Sequence, residues 1–395
     1  MPILCLSNGH GEDIIAVRIL EQLQKFSPRE EVFALPIVGQ GYAYQFAGIP
    51  ILGNVKQMPS GGFIYMDTRQ LWGDLKGGLL GLTLNQYQVT REFAKKGGYI
   101  LAVGDLVPLL FAWLSGANYA FVGTDKSEYY IRDESGWLER TDTFERLLGG
   151  VYLPWERSLM LSKRCDVVFP RDQLTTDVLQ GFGINAHNLG NPMMDGLQPD
   201  ISDKSKLNIL LLPGSRVPEA LGNWQLILTA VEAIVRAFKD REITFIAALS
   251  TSLDREPFEK CLLNYHWNAQ VDSQYELESA KLLLPVNSFA HSLAVSNVAI
   301  AMAGTATEQF VGLGKPVITF PGAGPQFTYA FAEAQTRLLG CSVSMVNGPN
   351  EVPSVLEKLL NNPTLLAKIS ANGKDRLGDS GAAARIANFI LKDWT

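Results

Sequence analysis

Two glycine-containing turns in the C-terminal half combine residue types that bind phosphate. The first, Gly214-Ser215-Arg216, follows the apolar run 208–212 and precedes a helical pattern. Glycine lets a ligand approach the backbone closely, serine offers a hydroxyl, and arginine supplies a fork of donors that matches phosphate oxygens. The turn therefore predicts a diphosphate site. The alternative is an ordinary strand-to-helix loop with a solvated arginine.

The second turn lies between the apolar run 298–301 and a helical pattern that continues to about residue 313, and it consists of Gly304, Thr305, Ala306, Thr307 and Glu308. Backbone N–H groups at a helix start, together with the helix dipole and two threonine hydroxyls, favour an anion. Glu308 stands about one turn further on, where it can accept hydrogen bonds from ribose hydroxyls. The alternative is a capping box, in which Thr305 caps the helix and Glu308 completes the motif.

A third glycine-containing loop follows the first predicted strand, and its residues are Asn8, Gly9, His10, Gly11, Glu12 and Asp13. It departs from a dinucleotide-binding loop because Ile14 replaces the third glycine, and because Glu12 and Asp13 would repel a pyrophosphate. This excludes NAD or FAD at this loop; the family resemblance described below implies instead that the loop shapes an acceptor site. His10 is either a catalytic base or a structural residue.

Asp105 is the other candidate base, since it follows the predicted strand 99–103. A carboxylate at the carboxyl end of a parallel strand faces the ligand side of such a sheet. The alternative is that Asp105 caps the helix predicted at 106–114. Thr124 and Asp125 end the next strand in the same way and are candidates for the acceptor pocket.

No catalytic metal and no cofactor are expected from the sequence. The remaining histidines, His187, His266 and His291, show no metal-ligand spacing, and no paired-carboxylate motif accompanies them. The formal net charge of −6 argues against nucleic-acid binding, which needs a dense basic surface.

The elements around these motifs form two series of alternating strands and helices. The polar, turn-rich stretch 197–206 separates them, which predicts one α/β domain at 1–197 and a second at 207–380. The expected fold is two doubly wound Rossmann-like domains that face each other across a cleft. A final helix at 382–395 has one apolar face, including Phe389 and Trp394, and is expected to pack back on the first domain.

The four scattered cysteines fit a reducing compartment, and the N-terminus lacks the features of a secretory signal, so a cytoplasmic location is expected. No apolar run is long enough to span a bilayer. The apolar stretches 77–84 and 106–114, with Trp72 and Trp113, are either ordinary core helices or patches that dock on a membrane surface.

Three segments also resemble lipid-A-disaccharide synthase and its relatives among the two-domain GT-B glycosyltransferases: LLPGSRVPE at 211–219, SNVAIAMAGTATEQ at 296–309 and LGKPVITF at 313–320. NLGNPMMD at 188–195 resembles a further short motif of that family, with Asn191 where histidine is common. The resemblance implies that these segments bind the UDP part of a UDP-sugar. Arg216 would then neutralise the diphosphate, and the uracil pocket would involve 286–289, including Phe289.

The same resemblance places Gln326, and less firmly Asn347, against the donor sugar; each is otherwise a polar loop residue. It implies a metal-independent, inverting glycosyl transfer to a hydroxyl, with a glycolipid acceptor at the membrane surface as the expected partner. Two alternatives stay open: a UDP-sugar epimerase of the same fold, and a non-catalytic protein that only binds nucleotide sugars.

Overall fold

The computed structural model describes residues 1–55, 79–200 and 206–392, apart from the side chains of residues 10, 79 and 80. Two compact units divide the chain. The first comprises Met1–Asp195 and Asp379–Thr395, and the second comprises Gly196–Gly378. Trp72, Trp394 and residues 77–78 of the predicted apolar stretch lie outside the described residues.

The first unit is built on a five-stranded parallel sheet. Its strands, with a small separate hairpin formed by β5 and β6, are β1 Ile3–Ser7, β2 Val32–Pro36, β3 Tyr99–Gly104, β4 Tyr119–Gly123, β5 Arg132–Asp133, β6 Gly136–Trp137 and β7 Cys165–Phe169. The helices are α1 His10–Phe26, α2 Tyr42–Phe46, α3 Leu79–Lys95, α4 Leu106–Ser115, α5 Thr143–Leu148, α6 Pro154–Met160 and α7 Gln173–Gly181. β1 is buried at all five positions, as a strand covered on both faces requires.

The strand order β2-β1-β3-β4-β7 determines where a ligand can bind. The chain moves outward from β1 to β2 and then returns to the other side of β1 to form β3. In open parallel sheets, ligands bind at the carboxyl ends of strands where the order reverses in this way. The register pairs Ser7 with Val103, so the loops after β1 and β3 begin side by side.

The second unit has an eight-stranded sheet in the order β10-β11-β12-β9-β8-β13-β14-β15. Its strands are β8 Leu207–Leu212, β9 Ile243–Ala247, β10 Asn268–Ala269, β11 Gln274–Leu277, β12 Ala280–Leu283, β13 Val298–Ala301, β14 Val317–Thr319 and β15 Val343–Met345. Among the strands that the structure describes in this sheet, β11 runs opposite to the rest and pairs antiparallel with both β10 and β12. The six parallel strands follow the Rossmann order, which reverses between β8 and β13. Leu212 pairs with Ala301 there, so the two predicted phosphate turns start from adjacent strand ends.

The helices of the second unit are α8 Glu219–Ala237, α9 Glu256–Asn264, α10 Phe289–Val295, α11 Thr305–Gly312, α12 Tyr329–Leu339, α13 Val352–Leu360 and α14 Pro363–Leu377. Fully buried Trp224 of α8 packs near Phe258 of α9, with ring centroids 6.0 Å apart. The core continues through Ile209, Phe245 and Ile300 of the sheet.

The last helix, α15 Ala382–Lys392, belongs to the first unit and packs on α1. The carboxylate of Asp195 accepts hydrogen bonds from the backbone N–H groups of residues 381, 382 and 383, at 2.6, 2.9 and 2.9 Å. The ring of Phe389 lies edge-on to Phe169, with centroids 5.5 Å apart. An acidic cap and one apolar face therefore hold this helix in place.

The segment 124–164, which shows no clear strand pattern in the sequence, folds around buried charges. The carboxylate of Glu128 is 2.7 Å from the Arg132 guanidinium and accepts a 2.9 Å hydrogen bond from the backbone N–H of Val151. Buried Glu156 pairs with Lys126 at 2.6 Å. Ion pairs of this kind leave no hydrophobic periodicity to detect.

Candidate functional site

Gly214 brings the turn after β8 into contact with the strand end of β13. Its φ is +101°, and a Cβ there would lie 3.3 Å from the carbonyl oxygen of Met302. Glycine is therefore favoured both by backbone conformation and by space. The buried side chain of Asn223 donates a 3.0 Å hydrogen bond to the Pro213 carbonyl and fixes the turn. Ser215 and Arg216 are exposed beyond it.

Helix α11 starts beside this turn with Gly304 as its N-cap residue. Gly304 makes no side-chain capping hydrogen bond, and Thr305 is already the first residue inside the helix, so Thr305 is not the cap that the capping-box alternative expected. Thr305 is exposed and Glu308 is half-buried. The exposed helix start therefore retains the polarity that attracts an anion.

Thr307 differs from its predicted role. Its side chain is fully buried, and its hydroxyl donates a 2.7 Å hydrogen bond to the carbonyl of Ala303, one turn earlier. Threonine hydroxyls commonly bond back to the helix in this way. The expectation of two threonine hydroxyls facing an anion is corrected accordingly: only Thr305 presents an exposed hydroxyl at this helix start.

A third loop, residues 321–328 after β14, carries Gln326, which is half-buried. The backbone N–H groups of Gln326 and Phe327 donate to the carboxylate of Glu219, at 3.0 and 2.5 Å. Phe289 begins α10 and is 38% exposed. Asn347, the weaker donor-sugar candidate, donates instead to the Glu351 carboxylate at 3.2 Å.

In the first unit, the reversal between β1 and β3 brings Asn8 and Asp105 together. The Asn8 amide donates to Oδ2 of Asp105 at 2.9 Å, while Oδ1 accepts from the backbone N–H of Val107 at 2.8 Å. Asp105 is therefore the N-cap of α4, as the alternative interpretation held. Desolvation raises its pKa, with a smaller contribution from the negative charge of Asp125.

Glu12 lies close to this pair. A Cβ on Gly104, whose φ is +133°, would lie 3.2 Å from the Cγ of Glu12. Burial raises the pKa of Glu12, and the charges of Asp105 and Asp125 raise it further. Gly9 is the N-cap of α1. Gly11 is exposed. His10 begins α1, but its side chain lies outside the described part of the structure.

Asp13 does not face the loop, which corrects the expectation that it would repel a bound pyrophosphate. Its carboxylate is 2% exposed and accepts a 2.6 Å hydrogen bond from the Ser7 hydroxyl, which in turn accepts one from Tyr44 at 2.6 Å. Desolvation raises the pKa of Asp13 to about 7 against the opposing effect of the Ser7 hydrogen bond. These two hydrogen bonds connect β1 and α1 to α2.

The architecture is shared with solved enzyme structures over the whole chain. A putative UDP-N-acetylglucosamine 2-epimerase from Listeria monocytogenes has a TM-score of 0.59 at 17% identity, covering 100% of this chain and 96% of that chain. MurG from Acinetobacter baumannii has a TM-score of 0.59 at 14% identity, covering 99% of both chains. The fold is of the GT-B type.

A third GT-B structure is the UDP-GlcNAc 2-epimerase from Neisseria meningitidis, bound to UDP-GlcNAc, with a TM-score of 0.54 at 14% identity over 99% of this chain and 100% of that chain. No protein-family model matches the sequence, and no curated protein matches it either. Similarity at these identities establishes the GT-B fold and confirms the predicted fold class. Lipid-A-disaccharide synthase is not named among these GT-B structures, so that narrower resemblance stays a prediction.

Sequence patterns missed several residues that shape the two sites. Glu219 and Asn223 stand one helical turn apart on α8, and each contacts the 321–328 loop, which is distant in sequence. Buried Gln335 of α12 donates to the Ala303 carbonyl at 2.9 Å. One indication of these residues is present in the sequence: Glu219 is the last residue of the segment LLPGSRVPE, which carries the family resemblance. Within the described residues, no group of three or more His, Cys, Asp or Glu side chains could hold a metal ion, and no helix is long and apolar enough to cross a membrane.

Proposed function

We propose that the protein is a glycosyltransferase that transfers a sugar from a UDP-sugar to an acceptor hydroxyl. The observation that carries the proposal is the convergence of two turns at the strand reversal of the second unit. Gly214 packs against the Met302 carbonyl, and the N-cap residue of the adjacent helix α11 is Gly304, which makes no side-chain capping hydrogen bond. A ligand diphosphate at this position would be stabilised by the helix start and by exposed Arg216.

The donor contacts that the sequence resemblance implies form part of the same proposal. The backbone of 304–307, the Thr305 hydroxyl and the Ser215 hydroxyl would bind phosphate oxygens, and Glu308 would bind the ribose hydroxyls. Phe289 would border the uracil, and Gln326 would reach the sugar. Arg216 and the helix start supply positive charge to the departing UDP without a metal or cofactor.

The first unit supplies the candidate base. In the proposed reaction, Asp105 or His10 takes the proton of the acceptor hydroxyl, whose oxygen forms a bond to the anomeric carbon. The bond from that carbon to UDP breaks, UDP leaves with the electron pair, and the configuration inverts. Each oxygen of Asp105 retains a further lone pair beyond its present hydrogen bond. Its raised pKa makes it a stronger base than an ordinary aspartate.

A glycolipid at a membrane surface is the proposed acceptor. Two helices that pack together, α3 and α4, expose apolar side chains: Leu84 at 62%, Trp113 at 37% and Leu114 at 39%. The Arg164 guanidinium lies 6.0 Å from the centre of the Trp113 ring, which adds a cation suited to anionic headgroups. Efficient transfer to water-soluble glycosides, with none to lipid-linked ones, would contradict this acceptor class.

A UDP-sugar epimerase is the second candidate, favoured by similarity over the full chain to two epimerases. An epimerase would hold the same UDP group but would need no acceptor. Incubation with UDP-sugars alone separates the two, because an epimerase forms a new UDP-sugar whereas a glycosyltransferase requires an added acceptor. Binding without turnover under either condition would favour a non-catalytic nucleotide-sugar-binding protein.

The proposal is tested by thermal unfolding with UDP and a panel of UDP-sugars. A ligand at 100 times its dissociation constant stabilises the folded state by about 2.7 kcal/mol. Arg216→Ala is expected to weaken UDP binding by about tenfold or more, because a charge-assisted contact is lost. Arg241→Ala, at an exposed site in the loop before β9, is the matched control. A wild-type protein that responds to no UDP compound would refute the proposed function.

A further inference from the structure

The carboxylate of Glu219 fastens the 321–328 loop to the start of α8. Its Oε1 accepts the backbone N–H groups of Gln326 and Phe327, at 3.0 and 2.5 Å. A Cβ on Gly324 would lie 2.5 Å from the same oxygen, so the loop backbone crosses directly over the carboxylate. Charge-assisted hydrogen bonds to two successive amides fix both the position and the orientation of a loop.

Asn223, one helical turn later on α8, contacts the same loop from a second point. A Cβ on Gly322 would lie 2.7 Å from its Oδ1, while its Nδ2 donates to the Pro213 carbonyl at 3.0 Å. The loop is closed on itself by a 2.9 Å hydrogen bond from the N–H of Gly322 to the carbonyl of Phe327. One face of α8 therefore holds both the turn that carries Arg216 and the loop that carries Gln326.

We propose that Glu219 is a positioning residue that orders the 321–328 loop for the sugar of the donor, and this inference rests on the proposed function. The amides of Gln326 and Phe327 are already occupied by the carboxylate, so the loop must meet a sugar through other groups, among them the Gln326 side chain. Glu219 consequently acts on the sugar part of the ligand and not on the UDP part.

The test compares Glu219→Ala with Glu219→Gln. The glutamine variant keeps a carbonyl oxygen at the accepting position, whereas alanine removes it. Glu232→Ala is the matched control, since Glu232 lies on the same helix and pairs only locally with Arg236. Titration calorimetry with UDP and with UDP-GlcNAc is combined with hydrogen exchange of the 322–328 amides.

For Glu219→Ala we expect about tenfold weaker binding of UDP-GlcNAc, UDP binding within about twofold of wild type, and faster exchange at the Gln326 and Phe327 amides. Glu219→Gln and Glu232→Ala are expected to behave like wild type in all three measurements. This pattern would assign the role to the accepting oxygen.

Equal losses for UDP and UDP-GlcNAc in Glu219→Ala would overturn the inference, and so would unchanged exchange of the loop amides. If the wild-type protein binds neither UDP nor UDP-GlcNAc, the proposed function fails and the role toward a sugar fails with it. Hydrogen exchange distinguishes the two failures, because it reports the contact between Glu219 and the loop without any ligand.

Discussion

Each unit has a helix that starts next to the reversal of its strand order, α11 in the second unit and α4 in the first. The two helix starts differ in the residues that occupy them. In the second unit, the N-cap residue of α11 is Gly304, which makes no side-chain capping hydrogen bond. In the first unit, the Asp105 carboxylate caps the start of α4 by accepting the backbone N–H of Val107, and Glu12 lies beside it. A helix start filled by a protein carboxylate has no place for a ligand anion, whereas an open one does.

This difference supports the different ligand classes proposed for the two sites. The helix start beside the Arg216 turn suits the proposed diphosphate. The acidic start beside Asn8 disfavours a phosphate and suits a neutral, hydroxyl-bearing group that can donate to carboxylates. Under this proposal, a few residues at the strand ends would determine which ligand each Rossmann-like unit binds.

Replacing Asp105 should produce the largest effect. Asp105→Asn keeps an oxygen that can cap α4 but cannot take a proton, so turnover is expected to fall by about a hundredfold or more with little change in stability. Asp105→Ala should lose the same activity and about 1 kcal/mol of unfolding free energy as well. Steady-state kinetics and urea unfolding check the two effects.

The wild-type pH profile provides the control for that experiment. An ordinary aspartate has a pKa of about 3.9. Because the pKa of Asp105 is raised, the fall of kcat/KM at acid pH should occur above that value. Full turnover in Asp105→Asn would rule out the base assignment and leave His10 as the candidate.

The second experiment introduces a capping carboxylate at the start of α11. Gly304→Asp would place a carboxylate where the diphosphate is proposed, and there is room for it, since a Cβ would meet nothing closer than the Phe331 ring at 3.8 Å. UDP affinity is expected to fall by about a hundredfold, through lost contacts and charge repulsion, while thermal stability rises slightly. Calorimetry with UDP and thermal unfolding measure the two changes.

Gly304→Ala is the matched control, because it adds the Cβ without the charge. It should keep UDP binding within a few-fold of wild type. A Gly304→Asp variant that binds UDP as tightly as Gly304→Ala would show that the anion site lies elsewhere.

Local patterns were sufficient for most of the parallel strands but did not predict β15. The continuous apolar run 298–301 predicted both ends of β13 correctly. The position of Asp105 directly after the predicted strand 99–103 indicated that it could cap α4. Such features depend on neighbours a few positions away, which a sequence displays directly. The fold class followed from the alternation of these elements and is confirmed by the GT-B comparisons.

The remaining features depend on contacts that no local pattern records. Glu219 and the amides it binds are 107 and 108 positions apart, and Asn8 is 97 positions from Asp105. Segment 124–164 contains buried ion pairs such as Lys126 with Glu156, whose partners are 30 positions apart. The role of the Thr307 hydroxyl was missed for another reason, since its bond to Ala303 requires the actual helix register.

The smallest predicted effect is a pH-dependent change in the free energy of unfolding that is caused by buried Asp13. The pKa of folded Asp13 is about 7, against about 3.9 in an unfolded chain. Between these values the folded state holds a proton that the unfolded state releases, so stability is lost as pH rises from about 4 to about 7. Asp13→Asn keeps the acceptor for Ser7 without the charge, and it should exceed wild type by on the order of 2 kcal/mol at pH 8 while matching it near pH 4. Unfolding followed across this pH range, with exposed Asp240→Asn as control, measures the effect. Parallel pH dependences in Asp13→Asn and wild type would contradict the raised pKa of Asp13.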